Sequence, residues 1–150
     1  MKKILLILVL SLFIVSCSDS DDEQTFLEKH EGTVWELVNP EIVEYLRINN
    51  NESTPFGFWV RNLDEEDCYY YDNDVLNDAI IKENSNNTFE FELSEIYEEI
   101  QYLSRIKITI NGDIMIVIIE EYSNGELYET DTENFERSSA DVDSFILCAD

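Results

Sequence analysis

Positive charge is what this 150-residue chain has least of. Nine lysines and arginines stand against 34 aspartates and glutamates, for a formal charge of −25. A surface of that sign repels phosphate backbones and anionic headgroups, which excludes nucleic-acid binding and a polybasic membrane patch. Histidine occurs once, at His30. No serine or carboxylate pattern surrounds it as a triad requires, so it reads as a surface or cap residue. The four glycines are too scattered for a phosphate-cradling loop or a dinucleotide fingerprint. Cysteine numbers three, and neither Cys68 nor Cys148 has a second cysteine or a histidine at ligand spacing, so no metal and no cofactor is expected.

The longest apolar run lies at the N-terminus. Lys2 and Lys3 precede Ile4 to Val15, which is almost wholly apolar. That is the pattern of an export signal, and the run is too short for an ordinary transmembrane helix. It ends on Ser16 and Cys17. The stretch Ile14-Val15-Ser16-Cys17 resembles a bacterial lipoprotein signal. The resemblance implies cleavage before Cys17, which becomes the lipidated first residue and anchors the protein to a membrane. The alternative is an ordinary cleaved signal with an incidental cysteine.

Ser18, Asp19, Ser20, Asp21, Asp22 and Glu23 follow, short and like-charged, and read as a solvated tether. This run resembles the surface-export signal of Bacteroidota lipoproteins, which implies an outer-membrane protein facing the medium; a simple spacer is the alternative. The division is therefore a signal peptide over 1–16, a tether over 17–25 and one β-barrel domain over 26–150. Losing Lys2 and Lys3 takes the formal charge from −25 to −27. In an exported protein with Cys17 lipidated, Cys68 and Cys148 are the remaining pair and are expected to form a disulfide.

Along the chain, Thr25-Phe26-Leu27-Glu28 has capping-box spacing, predicting a short helix from Phe26 to Glu31 stopped by Gly32. Strands are expected over Thr33–Val38, Glu44–Asn49, Phe56–Val60, Cys68–Asp72, Ile80–Glu83 and Thr88–Leu93. Glu95 to Tyr102 suits a helix or a strand, and the parity of Ile106, Ile108 and Ile110 favours a strand from about Ile100. Asn111-Gly112 between two apolar arms predicts a hairpin in which Ile108 opposes Met115 and Ile106 opposes Val117. Its second face carries Ile114, Ile116 and Ile118 and needs a cover. The N-terminal helix or a C-terminal helix carrying Val142, Phe145 and Ile146 would supply it. Asn124-Gly125 turns into Glu126–Asp131, and Asn134–Ser138 extends the sheet.

Short strands spaced by turns argue for an all-β antiparallel barrel or sandwich. Gly32-Thr33-Val34-Trp35 at the mouth of an up-and-down meander resembles the lipocalin-like lipoproteins of Bacteroidota, over about Phe26 to Cys148. Two residues separate the glycine from the tryptophan where lipocalins have one. The resemblance implies an up-and-down β-barrel, with Arg137 of Phe135-Glu136-Arg137-Ser138-Ser139 packed over Trp35. It also implies a small apolar ligand inside the barrel, among Trp35, Phe89, Phe91, Ile106, Ile108, Met115 and Val117. A protein-interaction or inhibitor module of an outer-membrane complex, with no internal ligand, is the competing reading.

No enzyme is expected. Asp72-Asn73-Asp74 and Asp78 lack the calcium-loop pattern, since Leu76 falls at a ligand position and no glycine turn follows. Glu120-Glu121 facing Glu126 and Glu129 would suit glycoside hydrolysis, but in so acidic a chain such pairs arise by chance. Cys17→Ser is expected to abolish incorporation of labelled palmitate; continued labelling would overturn the lipoprotein assignment.

Overall fold

The computed structural model describes residues 24–63, 67–72 and 78–149, so the leader, Cys17 and the acidic run to Glu23 lie outside the described residues, as does 73–77 of the calcium candidate. Helix α1 (Phe26–His30) is followed by β1 (Val34–Val38), β2 (Ile42–Ile48), β3 (Phe56–Asn62) and β4 (Tyr70–Asp72). Then come β5 (Ile80–Asn84), β6 (Thr88–Tyr97), β7 (Ile100–Asn111), β8 (Ile114–Ser123) and β9 (Glu126–Ser138). All nine form one antiparallel sheet in the order β4-β3-β2-β1-β9-β8-β7-β6-β5. Two meanders thus meet where β1 pairs with β9.

The expected barrel is not closed. β4 and β5, the two ends of the order, share no ladder among the described residues. β4 is three residues long and wholly exposed, and β5 carries a register irregularity between Ile81 and Glu83. Neither edge offers the regular row of donors and acceptors that pairing requires. The halves meet through side chains instead. Phe56 of β3 packs edge-on to Phe89 and tilted against Phe91 of β6, with centroids 5.5 and 6.4 Å apart.

Alternation puts Trp35, Leu46, Ile48, Phe56, Phe89, Phe91, Ile106, Ile108, Met115, Val117 and Phe135 in one core. The first hairpin register differs from expectation. Asn111 stays on its strand opposite Ile114, so Ile110 opposes Met115, Ile108 opposes Val117 and Ile106 opposes Ile119. Gly112 and Asp113 make the turn, with only Gly112 at positive φ (+64°). The shift is two residues, and because side chains alternate with period two the same residues still face inward.

At one end of the interior, α1 acts as a plug. Thr25 Oγ1 accepts from the Glu28 amide at 3.3 Å while Glu28 Oε2 accepts from the Thr25 amide at 2.9 Å, the reciprocal capping box. Five residues cannot form a stable helix alone. Phe26 and Leu27 are fully buried, and each contributes about 2–3 kcal/mol by leaving water. His30 ends the helix, as one of its two expected placements had it, but is buried against the Phe26 ring at 4.8 Å rather than at the surface. Burial first, then Lys29 and Arg137, hold its pKa below the ordinary value.

The C-terminus is a clasp rather than a helix. Only Val142–Ser144 turns, as 3-10. It covers the outer side of β2 and β3, where Phe145 stacks on Tyr69 at 4.1 Å and meets Tyr45 edge-on at 5.0 Å. Tyr45 donates to Glu36 Oε1 at 2.9 Å; burial and then that bond push its pKa up to about 12. Arg47 lies over Trp59 and pairs with Asp143 at 2.8 Å. The Cys68–Cys148 disulfide, with Cα atoms 5.0 Å apart at a sequence separation of 80, fastens the clasp. A loop of that size is worth about 4–5 kcal/mol in the chain-entropy account. Neither α1 nor the clasp covers the outer face of the β7–β8 hairpin, where Ile116 and Ile118 are half-buried and Ile114 is exposed.

The doubtful stretch near Ile100 is a hairpin turn. Glu98 and Glu99 both have positive φ (49° and 68°), a conformation that costs non-glycine residues roughly 1–2 kcal/mol each. Asn124-Gly125 meets the same demand (49° and 82°) with suitable residues. Glu98→Asn with Glu99→Gly should therefore stabilise the protein by about 1 kcal/mol or more, read as a higher urea midpoint at unchanged slope. An unchanged or lower midpoint would show the turn to be unstrained.

Candidate functional site

Above the α1 plug the interior holds a cavity of about 190 Å³, lined from six strands. β2 gives Glu44 and Leu46, β3 Phe56 and Phe58, β6 Phe91 and Leu93, β7 Ile106 and Ile108, β8 Val117 and Ile119, and β9 Glu133 and Phe135. Every one occupies an inward position of the period-two alternation, which is why strands far apart in sequence present a common apolar wall.

Of the ligand residues read from the sequence, Phe91, Ile106, Ile108 and Val117 line this cavity. Trp35, Phe89 and Met115 do not. They are fully buried nearer α1, in one cluster with Phe26, Leu27 and Ile48, and form a close-packed layer beside it. Arg137 lies over the Trp35 ring with its guanidinium carbon 5.3 Å from the centroid. Trp35 Nε1 donates to Thr33 Oγ1 at 3.0 Å, so the indole is held at both face and edge. The other eight lining residues had not been singled out for the site. Leu93 and Ile119 share the inward parity of their neighbours and could have been read from it. Phe56 and Phe58 fall two apart in the expected strand Phe56–Val60, on its inward face.

Glu44 and Glu133 are the two that ordinary patterning hides, because an acid in a strand reads as solvent-facing. Their registers place them inward: Glu44 pairs with Leu37 of β1, and Glu133 with Val117 of β8. They stand on the strands either side of β1, which parts from β9 after Glu36. Both are half-buried. Burial raises each carboxyl above the ordinary glutamate range; the Glu133 charge adds to the effect at Glu44, and Asp131 to that at Glu133. Neither makes a hydrogen bond or ion pair among the described residues. Other half-buried acids do: Glu36 accepts from Tyr45 and Ser138, and Glu92 pairs with Lys82 and Arg105.

Of the carboxylates considered for hydrolysis, Glu120 and Glu121 are each held by a tyrosine. Glu120 accepts from the Tyr122 hydroxyl at 2.7 Å and Glu121 from Tyr128 at 2.8 Å. Among the described residues no cluster of three or more metal-ligating side chains occurs. The chain matches no known family model, no curated protein and no solved structure.

A raised carboxyl pKa means the charged form is the costly one in the folded state. The folded protein then takes up protons more readily than the unfolded chain, and stability falls as pH rises through the folded pKa values. Glu44→Gln and Glu133→Gln should each raise the urea midpoint of unfolding at pH 7. The gain should disappear below the ordinary carboxylate range, near pH 4. A pH-independent gain, or a loss at pH 7, would contradict this origin.

Proposed function

We propose that this chain is a lipid-anchored, surface-exposed outer-membrane lipoprotein whose sheet holds a small, largely apolar ligand and performs no catalysis. The single observation that carries the binding reading is the cavity beside a close-packed layer. Aromatic and branched aliphatic side chains from six strands line a half-open apolar hollow of about 190 Å³, and small-molecule sites are characteristically concave and apolar. An engineered apolar cavity of about 150 Å³ takes up benzene, so the space suits a ligand of one ring or a short chain. Gly32 ahead of Trp35, with Arg137 lying over the indole, supports a lipocalin-like relationship, and Cys17 with its acidic tether supports the anchored location.

Native mass spectrometry of the protein purified from its own membranes should show a small molecule that is released on denaturation. Val117→Phe, which adds volume to the cavity wall, should abolish that adduct while leaving the fold intact by circular dichroism. Unliganded protein in every preparation, or an adduct that survives Val117→Phe, would overturn the assignment.

A further inference from the structure

We propose that the occupant of the cavity is an apolar cation, of the class of a small arylalkyl or alkyl ammonium. Its hydrocarbon part would sit among Phe56, Phe58, Phe91 and Ile106 and its ammonium beside Glu44 and Glu133. This rests on the cavity being a ligand site and adds the charge of what it takes.

Ten of the twelve lining side chains are apolar and the remaining two are glutamates; no lysine, arginine or histidine lines the cavity. Those two carboxylates are half-buried and have no partner among the described residues, whereas Glu36, Glu90 and Glu92 each lie against a cation or a hydroxyl donor. Buried polar groups without partners are costly, and a charge removed further from water costs more still. A neutral apolar ligand would displace water from beside both carboxylates and return no compensation. An anionic ligand would add repulsion to the same loss. A cation supplies the absent partner and donors, so the site discriminates by charge as well as by shape.

The walls fit the remainder of such a molecule. Phenyl faces attract an adjacent ammonium, and four phenylalanines line the cavity. A volume of about 190 Å³ exceeds the roughly 150 Å³ that admits benzene by room for a short amine arm. The formal charge of −25 also draws cations toward the protein and raises their encounter rate.

The test is calorimetric titration of the full-length protein in neutral detergent with three probes of similar size and different charge: 2-phenylethylammonium, 2-phenylethanol and 3-phenylpropionate. The ammonium should bind the wild type roughly tenfold or more tightly than the alcohol, and the carboxylate more weakly than either. Glu44→Gln with Glu133→Gln should erase the ammonium's advantage while keeping alcohol binding, which also shows the variant to be folded. Glu126→Gln with Glu129→Gln, two exposed acids outside the cavity, should leave the advantage intact and so separate the site from the general field. Equal binding of ammonium and alcohol, preference for the carboxylate, or an advantage that survives in the Glu44/Glu133 variant would overturn the charge assignment while leaving an apolar site standing. Failure of all three probes to bind the wild type would overturn both.

Discussion

Three residue pairs join the halves of this sheet. Val34 faces Ser138, Trp35 faces Arg137 and Glu36 faces Glu136, the whole of the β1–β9 ladder. Among the described residues this short junction is the one backbone ladder between β1–β4 and β5–β9, and across the open side Asn84 Nδ2 donates to Glu52 Oε1 at 3.0 Å. It is correspondingly reinforced. Trp35 is fully buried beneath the Arg137 guanidinium, and the Arg137 amide donates to the Asp113 carbonyl at 2.9 Å. On the opposite face Glu36 joins Ser138 to Tyr45, linking the junction to the aromatic cluster under the C-terminal clasp. A short ladder carries little strength by itself, since each backbone hydrogen bond is worth only about 1 kcal/mol net. The buried indole between the two strands is what makes the junction durable.

The open seam on the far side follows from what its edges are made of. β4 is three exposed residues, and β5 carries its irregularity where a regular ladder would be needed. Closure of the interior is left to Phe56, Phe89 and Phe91. Aromatic contacts do not specify register as a hydrogen-bonded ladder does, but they exclude water from the core equally well. Such a sheet can enclose a cavity without completing a barrel. The disulfide contributes at this edge as well, because Tyr69, next to Cys68 and just before β4, bridges to Leu147, next to Cys148.

Much of this was legible in the residues, and for a physical reason. Period-two alternation is strong in Phe89-Glu90-Phe91 and in Ile106-Lys107-Ile108, so inward faces follow directly, and even a hairpin register displaced by two residues leaves them unchanged. The Thr25–Glu28 capping box and the Asn124-Gly125 turn are local, and local signals survive into the fold. Failures lie where tertiary context wins. Val142, Phe145 and Ile146 have helical spacing, yet Phe145 is drawn flat onto Tyr69 and the backbone stays extended after one 3-10 turn. Glu98-Glu99 carries no turn signature, and the long β6–β7 pairing forces both residues into positive φ. Barrel closure failed because it depends on β4 meeting β5, a contact no local pattern encodes.

Glu44 and Glu133 bring these threads together. Natural sequences reserve inward strand positions for apolar residues, and replacing either acid with leucine would satisfy the pattern and the packing at once. Their retention is a local violation of an otherwise consistent design. Such violations concentrate where function requires something that folding does not. The disagreement between the two residues and their surroundings is electrostatic rather than steric: the strands run regularly through both positions, and each keeps its ladder partner. No cationic side chain lines the cavity, so the mismatch is relieved by protonation at low pH or, at neutral pH, by a counter-charge from outside the chain. The same two side chains are therefore a cost to the fold at neutral pH and set the sign of the charge that would offset it.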